Sequence, residues 1–425
     1  MSSVKSYSNQ NGGKTITLKS LLLFGMLFTL VFDYRRSVAD SSSLVIFLSL
    51  INIFCSASLI LILNNFKKKI LYYSFPILLF IITSTISGIM RDQSIYSVFA
   101  QILPAVIFFQ TVLVFSSIIQ EQSESINILK LIVLSGVLSG IWKLIFTFSY
   151  SGLNLEDVRY QIISGATIML FSYAVTCFII EKRKYMWVAL FLSLGVVFIS
   201  VTRTYILVFA FSAFITALCL PSSRLKSNLI KCCFLVFALI FSLFILQLFF
   251  PSISERWIQR IFSYQSTGGE DITALTRIAE INGQIDFMKR DFLGFLFGFG
   301  IAAPTEWSGK EMAHLYTILG IDAESEGYSY GHNFYIGCMY VGGVFSGILL
   351  IFTLLYSPLK GLVKLKKYFN KLSQNERFLA VFSICAVLGY SAFGLLGGTL
   401  GDRVMSFYYG VVFGLLLAFN TLKVK

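Results

Sequence analysis

Long apolar runs recur along this chain, and their length constrains the fold more than any other feature of the sequence. A helix that crosses a bilayer needs about 20 mostly apolar residues. On this criterion we predict about 12 spans, and therefore an all-α polytopic membrane protein. The predicted spans lie near residues 17–34, 43–63, 70–90, 95–119, 127–149, 161–180, 185–202, 204–220, 232–250, 332–356, 378–397 and 404–420.

The composition agrees with this fold class. Hydrophobic residues make up 56% of the chain and charged residues 13%, whereas soluble domains carry roughly 25% charged residues. The 7 cysteines lie in apolar runs without a C-x-x-C pair, so we predict neither a disulfide framework nor a zinc site. We attribute the net charge of +13 to cytoplasmic loops rather than to nucleic-acid binding. We expect no nucleic-acid partner and no cofactor.

Basic residues cluster in alternate loops, and this pattern predicts the orientation of the chain in the membrane. Lys and Arg are biased toward cytoplasmic loops, so both termini are predicted to be cytoplasmic. Arg35-Arg36, in the first outer turn, counts against this orientation, but the other loops outweigh it. The clusters assigned to the cytoplasm are Lys67-Lys68-Lys69, Lys182-Arg183-Lys184, Arg224/Lys226/Lys231, the run from Lys360 to Arg377 and the tail Lys423/Lys425.

One long polar segment, 251–331, separates predicted helices 9 and 10 and divides the chain into 1–250, 251–331 and 332–425. The orientation places this segment on the outer face of the membrane. Residues 254–262 have the pattern of a short amphipathic helix lying on the membrane surface. Residues 271–290 are predicted to form a second helix, because apolar residues recur there at helical spacing. These apolar residues are Leu275, Ile278, Ile281, Ile285 and Met288.

Both histidines of the chain lie in this polar segment or at its edge, together with several arginines, which suggests anion chemistry at a bilayer surface. His332 stands just before an apolar run. Its imidazole suits removal of a proton from a hydroxyl near neutral pH, although His332 and Asn333 could instead only begin a helix. His314 lies among apolar residues and is more simply a structural histidine. The arginines are Arg256, Arg260, Arg277 and Arg290.

Arg203 and Arg277 each have two interpretations. An arginine at the bilayer centre costs about 3 kcal/mol, so Arg203 either snorkels to the headgroups or has an anionic partner. A guanidinium offers the fixed bidentate geometry that suits a phosphate. Arg277 is either a solvated helix residue or a second anion contact. The backbone N–H groups near Gly294, Gly298 and Gly300 could approach the same anion.

Two further groups of charged residues are given simpler interpretations. Asp322, Glu324 and Glu326 offer three carboxylates to a divalent cation. The glycine turn of a calcium loop is missing, so a solvated acidic loop is favoured and no metal is predicted. Lys143 lies inside a predicted span near its outer end, where snorkelling explains it.

Several short motifs follow one another in a fixed order from the middle of the chain. Thr202-Arg203-Thr204 follows a span, and Thr276-Arg277 lies on the second predicted helix. Leu296-Phe297-Gly298-Phe299-Gly300 comes next, and His332-Asn333-Phe334-Tyr335 opens the following span, which continues through Val341-Gly342-Gly343. In this order the chain resembles the O-antigen polymerase and O-antigen ligase superfamily of bacterial envelope polysaccharide biosynthesis.

The resemblance covers about residues 185–356 and implies a GT-C-like membrane glycosyltransferase at the outer face of the bacterial inner membrane. Such a polymerase joins undecaprenyl-pyrophosphate-linked repeat units with inversion, without a metal, and with membrane lipids and a chain-length regulator as expected partners. The resemblance implies that Arg203 and Arg277 contact the donor pyrophosphate. It also implies that His332 is the catalytic base, and the segment 251–331 is then periplasmic. Candidates for supporting roles are Asn333, Arg403 and His314.

Three alternatives to an O-antigen polymerase stay open. A ligase, which transfers polymer to lipid A-core, shares the fold and the motifs, and so do capsule and exopolysaccharide polymerases. A lipid-linked glycan flippase is the alternative from another class. A flippase is expected to have two similar halves and charged groups around a central cavity. The single late polar segment, 251–331, and the scarcity of charges in the spans favour an enzyme.

Overall fold

The computed structural model describes residues 17–34, 43–63, 68–118, 122–151, 158, 161–221, 251–262, 271–319 and 331–422, with isolated positions between 227 and 248. These ranges are helical and contain no strand. The helices are α1 (Leu18–Phe28), α2 (Ser43–Leu63), α3 (Lys68–Met90), α4 (Ile95–Ile118), α5 (Gln122–Ser151), α6 (Thr167–Ile179), α7 (Met186–Ser200), α8 (Arg203–Leu218), α9 (Pro251–Ile261), α10 (Ile272–Arg290), α11 (Phe292–Phe297), α12 (Lys310–Leu319), α13 (Phe334–Tyr368), α14 (Gln374–Phe393) and α15 (Arg403–Thr421).

The chain is a polytopic membrane protein. Among the described residues, 7 helices are long and apolar enough to cross a bilayer, namely α2, α3, α4, α5, α13, α14 and α15. The shorter apolar helices α1, α6, α7 and α8 lie at four further predicted spans. The predicted span at 232–250 falls almost entirely outside the described residues, so the count of about 12 spans remains a prediction.

Helices α7 and α8 differ from ordinary spans in length. They contain 15 and 16 residues, which corresponds to about 22–24 Å, less than the roughly 30 Å hydrocarbon core. Val201, in a left-handed conformation, and Thr202 join the two helices. Helix α7 therefore ends before Val201, and Arg203 occupies the first position of α8.

Helix α15 lies at the centre of the bundle. All of its residues from Arg403 to Phe419 are buried, and it packs against α4 and α14. Gly410 and Gly414 face the backbone of α4, because a Cβ at either position would lie 2.9 Å from a carbonyl oxygen of that helix. Small residues that let helix backbones approach closely are typical of helix packing in membranes.

The glycine-rich stretch after α11 packs into a break in α13. Within α13, Gly343 has φ 77°, and at this point the helix is interrupted. The N–H groups of Phe299 and Gly300 donate to the carbonyls of Tyr340 and Val341 at 2.8 and 3.0 Å. The 298–300 stretch therefore supplies donors to carbonyls that the break in α13 leaves accessible.

The prediction that Lys143 snorkels to the headgroups is wrong. Its side chain is buried, and its Nζ lies 3.4 Å from the Asp33 carboxylate. Arg403 contacts the same carboxylate at 3.4 Å and donates to Ser49 at 3.2 Å and to the Val45 carbonyl. The cost of a buried charge explains the arrangement, since buried ions require ionic partners and hydrogen bonds.

Candidate functional site

Helix α10, with its N-cap, carries or contacts the main site residues predicted from the sequence, Arg203, Arg277 and His332. The carboxylate of Asp271 caps its first turn, where Oδ1 accepts hydrogen bonds from the N–H groups of Thr273 (3.0 Å) and Ala274 (3.4 Å). The other oxygen, Oδ2, accepts from the Arg203 guanidinium at 3.0 Å. Asp271 therefore joins the start of α10 to the start of α8, and it fixes Arg203 beside a helix N-terminus, where anions are favoured.

Arg277 lies on α10 between the two ends of the site. Its side chain is half-buried, and among the described residues its buried Nε has no hydrogen-bond partner. Burial lowers the pKa of Arg277, and the neighbouring charge of Arg203 lowers it further, whereas Asp271 and Glu280 act in the opposite direction. The positive charges of Arg203 and Arg277 therefore act on each other, and a phosphate would stabilise both.

His332 is anchored to the same helix through Glu280. Its backbone N–H donates to Glu280 Oε2 at 3.0 Å, and its ring Nδ1 lies 2.8 Å from the same oxygen. The Glu280 side chain is 3% exposed, whereas that of His332 is 51% exposed. The carboxylate is therefore enclosed by protein, and the imidazole reaches the surface of the site.

Asn333 caps α13, as the alternative interpretation of this motif had it. Its Oδ1 accepts hydrogen bonds from the N–H groups of Tyr335 and Ile336, both at 3.1 Å. Its Nδ2 donates to the carbonyl of Leu395, in the turn after α14, at 3.3 Å. Asn333 thus fixes the backbone next to His332, and all three of these hydrogen bonds are with backbone groups.

Arg403 and His314, the other candidates for supporting roles, lie apart from this group. Arg403 is buried between α15 and α2 with Asp33, as described above. His314 lies on an exposed side of α12, whereas its neighbour Leu315 is buried. Helix α12 packs against α10, where Asn282 donates to Glu311 at 3.0 Å.

The interpretation of the glycine series as an anion contact is wrong. The N–H groups of Gly298, Phe299, Gly300 and Ile301 all donate to backbone carbonyls, including Ser84 O at 2.9 Å from Ile301. Gly298 and Gly300 are needed for close packing, since each has a positive φ and a Cβ at Gly298 would lie 2.2 Å from Val341 O. These N–H groups are already hydrogen-bonded to backbone carbonyls and cannot bind a phosphate at the same time.

Asp271 and Glu280 were not predicted as site residues. Both are acidic residues beside predicted basic site residues, and Glu280 follows Arg277 by one helical turn. Arg277, Glu280 and Gln284 recur at helical spacing, a polar pattern that could have indicated a functional face. The acidic stretch Asp322–Glu326 lies outside the described residues. Within the described ranges, no group of three or more His, Cys, Asp or Glu side chains is placed to hold a metal ion.

Comparisons with known proteins do not assign this site. No protein-family model matches the chain, and no curated protein sequence matches it.

Proposed function

We propose that this protein is an inverting, metal-independent glycosyltransferase that joins undecaprenyl-pyrophosphate-linked repeat units into O-antigen or a related polysaccharide. The observation that carries the proposal is the grouping of two arginines and one histidine around α10. Arg203 contacts Asp271, the N-cap residue of α10, and Arg277 lies within α10. His332 contacts Glu280 of the same helix. A transfer of this kind needs charge stabilisation at a pyrophosphate and a base at a hydroxyl.

The proposed chemistry is a single displacement. An acceptor sugar hydroxyl on one lipid-linked unit attacks the anomeric carbon of the donor sugar, while the His332 imidazole takes the hydroxyl proton. The bond from the anomeric carbon to the pyrophosphate oxygen breaks as the new glycosidic bond forms, so the configuration inverts. The leaving undecaprenyl pyrophosphate carries the developing negative charge, which the guanidiniums of Arg203 and Arg277 stabilise.

The order of groups along α10 supports this assignment of roles. Asp271, the partner of Arg203, precedes Glu280, the partner of His332, by nine positions, or about 13 Å along a helix axis. Arg277 lies between them. A donor lying along α10 would place its pyrophosphate near Arg203 and Arg277, and its reacting carbon toward His332.

Chain extension by purified protein tests the proposal. The protein is reconstituted in vesicles with lipid-linked repeat units, and the products are separated by size. We expect Arg203→Ala, Arg277→Ala and His332→Ala each to abolish polymer at normal protein level. Matched controls are Arg290→Ala, exposed at the end of the same helix, and His314→Ala, and both are expected to retain polymer.

Deletion of the gene separates a polymerase from a ligase. Loss of a polymerase leaves a single repeat unit on the lipid A-core acceptor, whereas loss of a ligase leaves a bare core. A bare core together with active transfer in vesicles would reassign the protein as a ligase. Transport of lipid-linked units without any new glycosidic bond would reassign it as a flippase.

A further inference from the structure

Glu280 is a carboxylate in a site that excludes water. It is 2% exposed on the inner face of α10, next to Ala279 and Gly283. Burial of an ionised carboxylate costs several kcal/mol unless hydrogen bonds compensate the lost hydration. The two donors that the structure gives to Oε2 are both from one residue, the backbone N–H and the ring Nδ1 of His332. The hydrogen bonds that compensate the buried Glu280 charge therefore come from His332.

Gly331 makes the close approach possible. It has φ 59°, and a Cβ there would lie 2.8 Å from Glu280 Oε1 and 3.0 Å from Gln284 Nε2. A side chain at Gly331 would therefore push the chain away from the carboxylate. Gly331 lets the chain lie against Glu280, and Glu280 then fixes the position of both the backbone N–H and the ring of His332.

An ionised carboxylate can only accept hydrogen bonds, so the contact at 2.8 Å requires a proton on Nδ1 of His332. In a neutral imidazole the other nitrogen, Nε2, then carries the lone pair. We propose that Glu280 is a positioning residue that fixes His332 in the Nδ1–H tautomer and directs a basic Nε2 into the site. In a neutral histidine without such a partner, the proton can lie on Nε2, and Nε2 then cannot act as the base.

The catalytic consequence rests on the proposed function. When Nε2 takes the proton of the acceptor hydroxyl, the ring becomes an imidazolium, and the adjacent Glu280 carboxylate stabilises the new positive charge. Glu280 itself gains no proton. A charged group close to this pair is Arg277, one turn earlier on α10, whose guanidinium interacts with Glu280.

The tautomer can be measured without any glycan substrate. The chain has 2 histidines, so ¹⁵N-histidine labelling of the full-length protein in lipid nanodiscs gives two imidazole signals, and His314→Gln identifies the signal of His332. We expect the neutral His332 ring to be protonated on Nδ1. In Glu280→Ala, which removes the acceptor, we expect the proton to move to Nε2, whereas in Glu280→Gln, whose amide oxygen can still accept from Nδ1 and the backbone N–H, we expect it to stay on Nδ1. A wild-type ring protonated on Nε2, or an Nδ1–H ring in Glu280→Ala, would overturn the inference.

Turnover gives the second readout. In the vesicle assay we expect Glu280→Gln to lower kcat by about 10²–10⁴-fold with KM little changed, since it removes the negative charge that stabilises the imidazolium and leaves donor binding intact. Glu311→Gln is the control, because Glu311 contacts Asn282 on the same helix instead of His332. A correct tautomer in an inactive wild type would refute the polymerase and keep this inference. Full activity of a wild type whose His332 ring is not protonated on Nδ1 would support the polymerase and overturn this inference.

Discussion

Asp33 is predicted to hold together a buried ion cluster in the membrane bundle. Its carboxylate lies 3.4 Å from Lys143 and 3.4 Å from Arg403, and all three residues are at most 4% exposed. The perturbation is Asp33→Asn, which keeps the size of the side chain and removes its charge. Two cations then remain close together in a site that excludes water.

The geometry gives the size of the effect. At 3.4 Å and an effective dielectric constant of about 20, each attraction amounts to about 5 kcal/mol. The retained hydrogen bonds and relaxation reduce this value, and removal of one partner of a buried pair costs about 3–5 kcal/mol in practice. We therefore expect Asp33→Asn to lower the free energy of unfolding by about 3–5 kcal/mol.

The assay is denaturant-induced unfolding of the purified protein in mixed micelles. Asp92→Asn is the matched control, because Asp92 is exposed at the end of α3 and tolerates this change in its left-handed conformation. We expect the control to stay within about 0.5 kcal/mol of the wild type. We also expect Lys143→Met, added to Asp33→Asn, to restore much of the loss. A loss below about 0.5 kcal/mol for Asp33→Asn would refute the buried cluster.

The remaining predictions concern the polar segment. Gly298→Ala is expected to lower the unfolding free energy by at least about 1–2 kcal/mol from the positive φ alone, with the 2.2 Å contact adding to it, whereas Gly195→Ala, which meets open space, is not. Arg277→Lys is expected to lower chain extension at unchanged protein level, because an ammonium lacks the bidentate geometry, and full activity would contradict the phosphate contact. Hydrogen bonds from Gly294 and Arg91 lower the pKa of Asp291. Its stabilising effect is therefore present above the ordinary carboxyl value of about 3.9 and lost as pH falls through the lowered pKa. In Asp291→Asn, thermal melts between pH 6 and pH 3, spanning that value, are expected to show a smaller acid-dependent loss, and an unchanged loss would count against the contact.

Helix positions were predictable from the sequence because their signals are local. Length and hydropathy alone placed the long apolar helices. The predicted helix 271–290 agrees with α10 (Ile272–Arg290), because the spacing of apolar residues on which it rests is a local signal. The predicted helix at 254–262 likewise agrees with α9 (Pro251–Ile261).

The partners of the charged residues were not predictable, because they depend on contacts between distant segments. The carboxylate that contacts Lys143 belongs to Asp33, which follows α1, and the carboxylate that contacts His332 belongs to Glu280. The apolar spacing in α10 predicted a helix but only part of its buried face. Of the apolar residues used, Met288 is buried and Ile278 is exposed, and the rest of the buried face is formed by Ala279, Glu280, Gly283 and Gln284. A buried polar face of this kind becomes visible only when the neighbouring segments are in place.

The most direct test of the central claim is single-enzyme chain extension with wild type and His332→Ala side by side. Lipid-linked repeat units of one length are the only glycan supplied, and the product ladder is read after equal times with equal protein. The proposed mechanism predicts a ladder of increasing length for the wild type and only the starting unit for His332→Ala. Polymer of normal length from His332→Ala, or no new glycosidic bond from a folded wild type, would contradict it.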